Sequence, residues 1–95
     1  MNADEAVELP IDGELDLHNF APHEVKELVA QYVEEAADRG ILELRIVHGK
    51  GTGALRRLVH AVLERSELVV AFRLADEAAG SWGATLVQLR PPRRG

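Results

Sequence analysis

"ILELRIVHGKGTGALRRLVHAVL", residues Ile41–Leu63, changes its period halfway along. The first part gathers Ile41, Leu42, Leu44, Ile46 and Val47 into a β-branched-rich run, which predicts a largely buried central strand. The second part sets Leu55, Leu58, Val59, Val62 and Leu63 at three- and four-residue steps, which predicts a helix with Arg56, Arg57, His60 and Glu64 facing outward. Between them Gly49, Gly51 and Gly53 occupy alternate positions around Lys50 and Thr52, and Thr52 is the expected helix cap. A strand that turns through glycines into a helix is half of a βαβ unit, and it sets the fold class.

Glycine loses much backbone entropy on folding, so three together mean a turn with φ > 0 or a close approach to the main chain. This loop precedes a helix N-terminus, where unpaired N–H groups and the helix dipole favour an anion such as phosphate. It is not a nucleotide P-loop, because Lys50 comes before the turn rather than after it, and it misses the dinucleotide G-x-G-x-x-G because its third glycine comes one residue early. ATP and NAD are thereby disfavoured. The competing reading is a tight turn whose glycines serve the backbone alone.

Upstream, "ELDLHNF" alternates, with Leu15 and Leu17 on one side of a short strand and Glu14, Asp16 and His18 on the other. From Pro22 the helical period takes over through Val25, Leu28, Val29, Tyr32, Val33 and Ala36, with Glu24 at the positive end and Gly40 as the stop. Downstream, "LVVAFRL" reads as a strand, "ADEAAGSWG" as a loop and "ATLVQLR" as a last strand. The order β-α-β-α-β-β predicts an α/β domain: a mixed four-stranded sheet, two helices and right-handed crossovers. Residues 1–12 read as a loose arm, 13–90 as the single domain and 91–95 as a basic tail.

The 95-residue chain suits one modest core, and with no cysteine it has neither disulfides nor a thiolate metal site. The acidic start is unlike a secretory leader, and no run of about eighteen apolar residues occurs, so a cytoplasmic protein that does not span a membrane is expected. The net charge of -5 hides an asymmetry: residues 1–43 carry twelve acids against two bases, residues 44–95 four acids against nine bases. Either a polyanion meets the second half, with the acidic helix turned away, or the charges form a solvated mixed surface.

In βαβ sheets ligands gather at the carboxyl ends of strands, and His18 and His48 both stand at such ends. Two imidazoles beside a phosphate cradle point to acid/base chemistry on a phosphodiester. Asp16, two residues from His18 on one strand face, orients its imidazole or holds a divalent ion with it, or the two are a hydrogen-bonded structural pair at the sheet edge. His48 either meets substrate or bonds a loop carbonyl. Lys50, Arg56 and Arg57 read as phosphate binders, with a solvated helix face as the competitor. Trp82 is either a base-stacking platform or the cover of a core edge. His23 and His60 read as helix-surface residues. Arg90, Arg93 and Arg94 add non-specific phosphate attraction or simply solubility.

Three motifs together give a resemblance to the small MutS-related (Smr) domain over Leu15–Leu89. Leu15-Asp16-Leu17-His18 matches its L-D-L-H-G except for Asn19; His48-Gly49-Lys50-Gly51 matches H-G-x-G in full; and Gly80-Ser81-Trp82-Gly83-Ala84-Thr85 keeps three of the four fixed positions of G-G-x-G-x-T. The resemblance implies a nucleic-acid-binding domain of the stand-alone kind, from a family that includes DNA-nicking and RNA-cleaving members. On this reading Asp16, His18 and His48 are the catalytic candidates. Gly49, Lys50, Gly51, Thr52, Gly53, Arg56, Arg57, Trp82, Gly83 and Thr85 are the nucleic-acid contacts. The substrate is DNA or RNA, with branched DNA and ribosome-associated RNA among the forms open to it. A requirement for Mg²⁺ or Mn²⁺ would draw on few carboxylates, namely Asp16 and the more remote Asp76 and Glu77, whereas a metal-free mechanism suits the two histidines. A module that binds nucleic acid or a ribosome without cleaving is the alternative function, and a protein-interaction adaptor is a third.

Overall fold

The computed structural model describes residues 11–51, 53–75 and 83–91. Most of the expected arm, Thr52, the Asp76–Trp82 segment with Trp82 and the acidic Asp76 and Glu77, and Arg93 and Arg94 of the tail lie outside them.

The elements are β1 (Glu14–Asp16), α1 (Pro22–Asp38), β2 (Glu43–Val47), α2 (Ala54–Arg65), β3 (Val69–Leu74) and β4 (Ala84–Leu89). This is the expected β-α-β-α-β-β order. In the sheet it becomes β1-β2-β4-β3, with β1 parallel to β2 and β4 antiparallel to both β2 and β3. The crossover through α2 thus leaves a gap beside β2 that the last strand fills.

The ends of α1 follow its sequence. Pro22 starts it, and the Glu24 carboxylate accepts the Ala21 N–H at 2.8 Å. At the far end Gly40 adopts φ 77°, which lets the Ile41 N–H return to the Ala36 carbonyl at 2.9 Å and the Gly40 N–H to Ala37 at 3.0 Å. Those two bonds close a Schellman motif. The Tyr32 hydroxyl accepts the Gly13 N–H at 3.1 Å, tying α1 to the start of β1.

The core gathers Leu15, Leu44, Ile46, Val87 and Leu89 of the sheet against Val25, Val29, Val33 and Ala36 of α1 and Val59 and Leu63 of α2. The expectation of a largely buried β2 needs correction. Leu44 and Ile46 are buried, but Glu43 is exposed and Arg45 and Val47 are half-buried, because β2 lies between two strands yet turns only alternate residues into the core. On its other face Arg45 pairs with Glu14 of β1 at 2.6 Å, directly across the register.

Candidate functional site

The ends of β1 and β2 lie side by side, because Asp16 registers with Val47 and the Leu17 N–H continues the ladder onto the Val47 carbonyl at 2.9 Å. Leu17 turns fully into the core, which leaves Asp16 and His18 on the solvent side. One Asp16 oxygen accepts both the His18 backbone N–H at 3.0 Å and the His18 Nδ1–H at 2.8 Å. These two bonds hold the Asp16 carboxyl below the usual carboxylate range, so the oxygen acts as an acceptor and Nδ1 carries the ring proton. In the neutral imidazole the Nε2 lone pair is then free for chemistry, on a side chain 71 % exposed.

The glycine loop follows β2, and its residues have different reasons. Gly49 and Gly53 take φ 84° and 92°, conformations that L side chains avoid, whereas Gly51 has open space where a Cβ would be. Gly83, just before β4, is a close-approach glycine: its carbonyl accepts the N–H groups of His48 at 2.9 Å and Gly49 at 2.8 Å, and a Cβ there would lie 3.3 Å from Lys50 Cγ. Gly53 is the N-cap of α2 and supplies no side-chain cap, whereas the cap expected of Thr52 falls outside the described residues. Two guanidinium groups crowd this helix end, since a Cβ on Gly53 would lie 2.9 Å from Arg56 Nη2 and 3.2 Å from Arg57 Nη1. No acidic residue stands in the first turn to offset them.

His48 and His18 are unlike. His48 is 6 % exposed and both its ring nitrogens are engaged, Nδ1 with the Gly49 carbonyl at 3.1 Å and Nε2 with the Thr85 hydroxyl at 2.8 Å. The same hydroxyl bonds His60 Nε2 at 2.8 Å, and the His60 ring packs on Phe72 with centroids 4.9 Å apart. His60 therefore does not face outward, contrary to its reading as a helix-surface residue. Helical periodicity alone could not reveal this, because the partner that draws His60 inward, Thr85, lies 25 residues away on β4.

Burial pushes both imidazoles below their ordinary value of 6.5; Arg56 repels a proton on either ring, and His48 also repels one on His60. The native state thus resists protons that the unfolded chain accepts, and stability present above 6.5 is lost as pH falls from there toward the native values. The urea midpoint is expected to drop between pH of about 7.5 and about 5.5. A midpoint that stays level or rises over that interval would exclude neutral buried rings.

Among the described residues no three of His, Asp and Glu converge on a point that could hold a metal ion, and the Asp16 oxygen nearest His18 is occupied by it. Among the described residues these donors do not form a Mg²⁺ or Mn²⁺ cage. No described helix is long and apolar enough to cross a membrane.

A mixed α/β sheet with a carboxylate–histidine pair and a glycine-turned, arginine-flanked helix start on neighbouring strand ends defines a small α/β domain with its candidate site at the strand ends. The Smr domain model matches residues 15–90, and the chain belongs to that family. The chain is 42 % identical over 78 residues to Endonuclease MutS2 of Thermus thermophilus, and 38 % identical over 80 residues to Endonuclease MutS2 of Acetivibrio thermocellus. The matches cover 82 % and 84 % of this chain but only 10 % of each relative. The crystal structure of the Smr domain of Thermus thermophilus MutS2 superposes with a TM-score of 0.78 at 41 % identity, covering 84 % of this chain and 100 % of that one. The stand-alone small MutS-related protein YdaL of Escherichia coli gives 0.76 at 27 %, covering 82 % and 64 % respectively.

Proposed function

We propose that the chain binds nucleic acid through the glycine loop and the start of α2, and hydrolyses a phosphodiester bond with His18 as general base. The observation that carries this reading is the Asp16–His18 pair, whose ring proton is committed to the carboxylate and whose Nε2 is left to accept another. Water attacks phosphorus and gives its proton to Nε2; the new P–O bond forms as the bond to the leaving oxygen breaks, and that oxygen takes a proton from solvent. Asp16 stabilises the imidazolium formed. Arg56 and Arg57 and the first N–H groups of α2 offset the charge gathering on the phosphoryl oxygens. The names of the MutS2 relatives support nuclease chemistry in this family.

Cleavage of end-labelled single-stranded RNA, duplex DNA and branched DNA, each in EDTA, Mg²⁺ and Mn²⁺, tests the proposal. Cleavage of at least one substrate in EDTA is expected. Salt-sensitive binding without cleavage of any would assign the same surface to a non-catalytic nucleic-acid- or ribosome-binding module. Binding that ignores salt would point to a protein-interaction adaptor.

A further inference from the structure

The donor and acceptor rules allow one arrangement of protons across the buried histidines when both rings are neutral. The Gly49 carbonyl can only accept, so His48 Nδ1 must carry a hydrogen. His48 Nε2 is then bare and must receive its 2.8 Å bond from the Thr85 hydroxyl hydrogen. A hydroxyl has a single hydrogen, so the 2.8 Å contact with His60 runs the other way, from His60 Nε2–H to the Thr85 oxygen. The chain is directional: His60 donates to Thr85, Thr85 to His48, and His48 to Gly49. Thr85 is 0 % exposed, so in the native structure its hydroxyl faces the two rings rather than bulk water.

We infer that His60 is a positioning residue for the glycine loop: through the Thr85 hydroxyl it holds His48 in the Nδ1–H tautomer, and His48 in turn holds the Gly49 carbonyl. Without the His60 donor the Thr85 hydroxyl is free to rotate. His48 can then donate from Nε2 instead and release Gly49. Gly49 is the residue at φ 84° that turns β2 into the loop, and the Gly83 carbonyl also fixes it by its N–H at 2.8 Å. His60 therefore governs one of the two main-chain anchors of Gly49 from nearly two turns into α2. Any consequence for phosphate binding rests on the function proposed above, whereas the proton arrangement does not.

The test reads the two separately in the full 95-residue chain. Nitrogen NMR of the imidazole rings at neutral pH should find His48 protonated at Nδ1 and bare at Nε2. His60→Leu keeps the packing on Phe72 but removes the donor, and should give a tautomer mixture at His48 and move the Gly49 amide resonance; Thr85→Val removes the hydroxyl altogether, leaves the Gly49 carbonyl as the ring's hydrogen-bond partner, and should keep Nδ1 protonated. His60→Gln, which restores an N–H donor, and Thr85→Ser should keep the wild-type pattern. In parallel, affinity for a labelled single-stranded oligonucleotide should fall about tenfold in His60→Leu and recover in His60→Gln. A wild-type His48 protonated at Nε2 overturns the inference without recourse to any variant. So does an unchanged His48 in folded His60→Leu. If the wild type binds no oligonucleotide, the proposed function fails, and the NMR result alone decides the inference.

Discussion

Replacing His18 with alanine is expected to lower phosphodiester cleavage by about 10² to 10⁴-fold, the usual loss when a positioned general base is removed. Oligonucleotide affinity should change little, because the proposed phosphate grip is built from Arg56, Arg57 and the first N–H groups of α2 rather than from this ring. The split follows from where the side chain sits. His18 is largely exposed and bonds only Asp16 among the described residues, so its loss leaves the core and the glycine loop intact. Asp16→Asn keeps an oxygen acceptor for the ring but removes the charge that stabilises the imidazolium, and should cost cleavage less than His18→Ala does. Single-turnover cleavage alongside equilibrium binding checks both variants. A parallel fall in affinity and cleavage would make His18 a substrate contact rather than a base, and undiminished cleavage would remove it from the reaction.

How far the sequence could be read depended on how local each cause was. The elements and their order follow from near-neighbour patterns: the stripe of Val25, Val29, Tyr32 and Val33, the alternation of Leu15 and Leu17, and the glycine that ends α1. The Asp16–His18 pairing was legible from its spacing, but not its cause: β1 ends at Asp16, and the contact is made across the turn that follows, where the carboxylate also accepts the His18 N–H. The insertion of β4 between β2 and β3 was not legible, since no local pattern records which place in the sheet a final strand will take. Nor was the inward turn of His60, which depends on a hydroxyl from that same strand. The charge asymmetry was legible as a count but not as a surface. Arg45 is one of the nine bases of the second half, yet Glu14 of the acidic half neutralises it across β1 and β2.

That leaves Arg56 and Arg57 as the cations whose placement best suits a phosphate, and their joint replacement should have the second large effect. Two guanidinium groups beside the positive end of α2 repel each other and the helix dipole, an arrangement that an incoming anion relieves. Glutamine at both positions keeps the side-chain stems and removes the charge. Each charge-assisted bond to phosphate contributes about 1.5–3 kcal/mol, so the double variant should lose about a hundredfold or more in affinity. The plot of log affinity against log salt should become shallower by about two, one for each phosphate that is no longer neutralised. A second signature separates this from a folding defect. Arg56 holds down the proton affinity of both His48 and His60, so Arg56→Gln should let both rings titrate at higher pH and should reduce the stability lost on acidification. An unchanged salt slope combined with that shift would mean that Arg56 faces the histidines but not the substrate. The phosphate would then have to be held by the loop's main chain and Lys50 rather than by the helix.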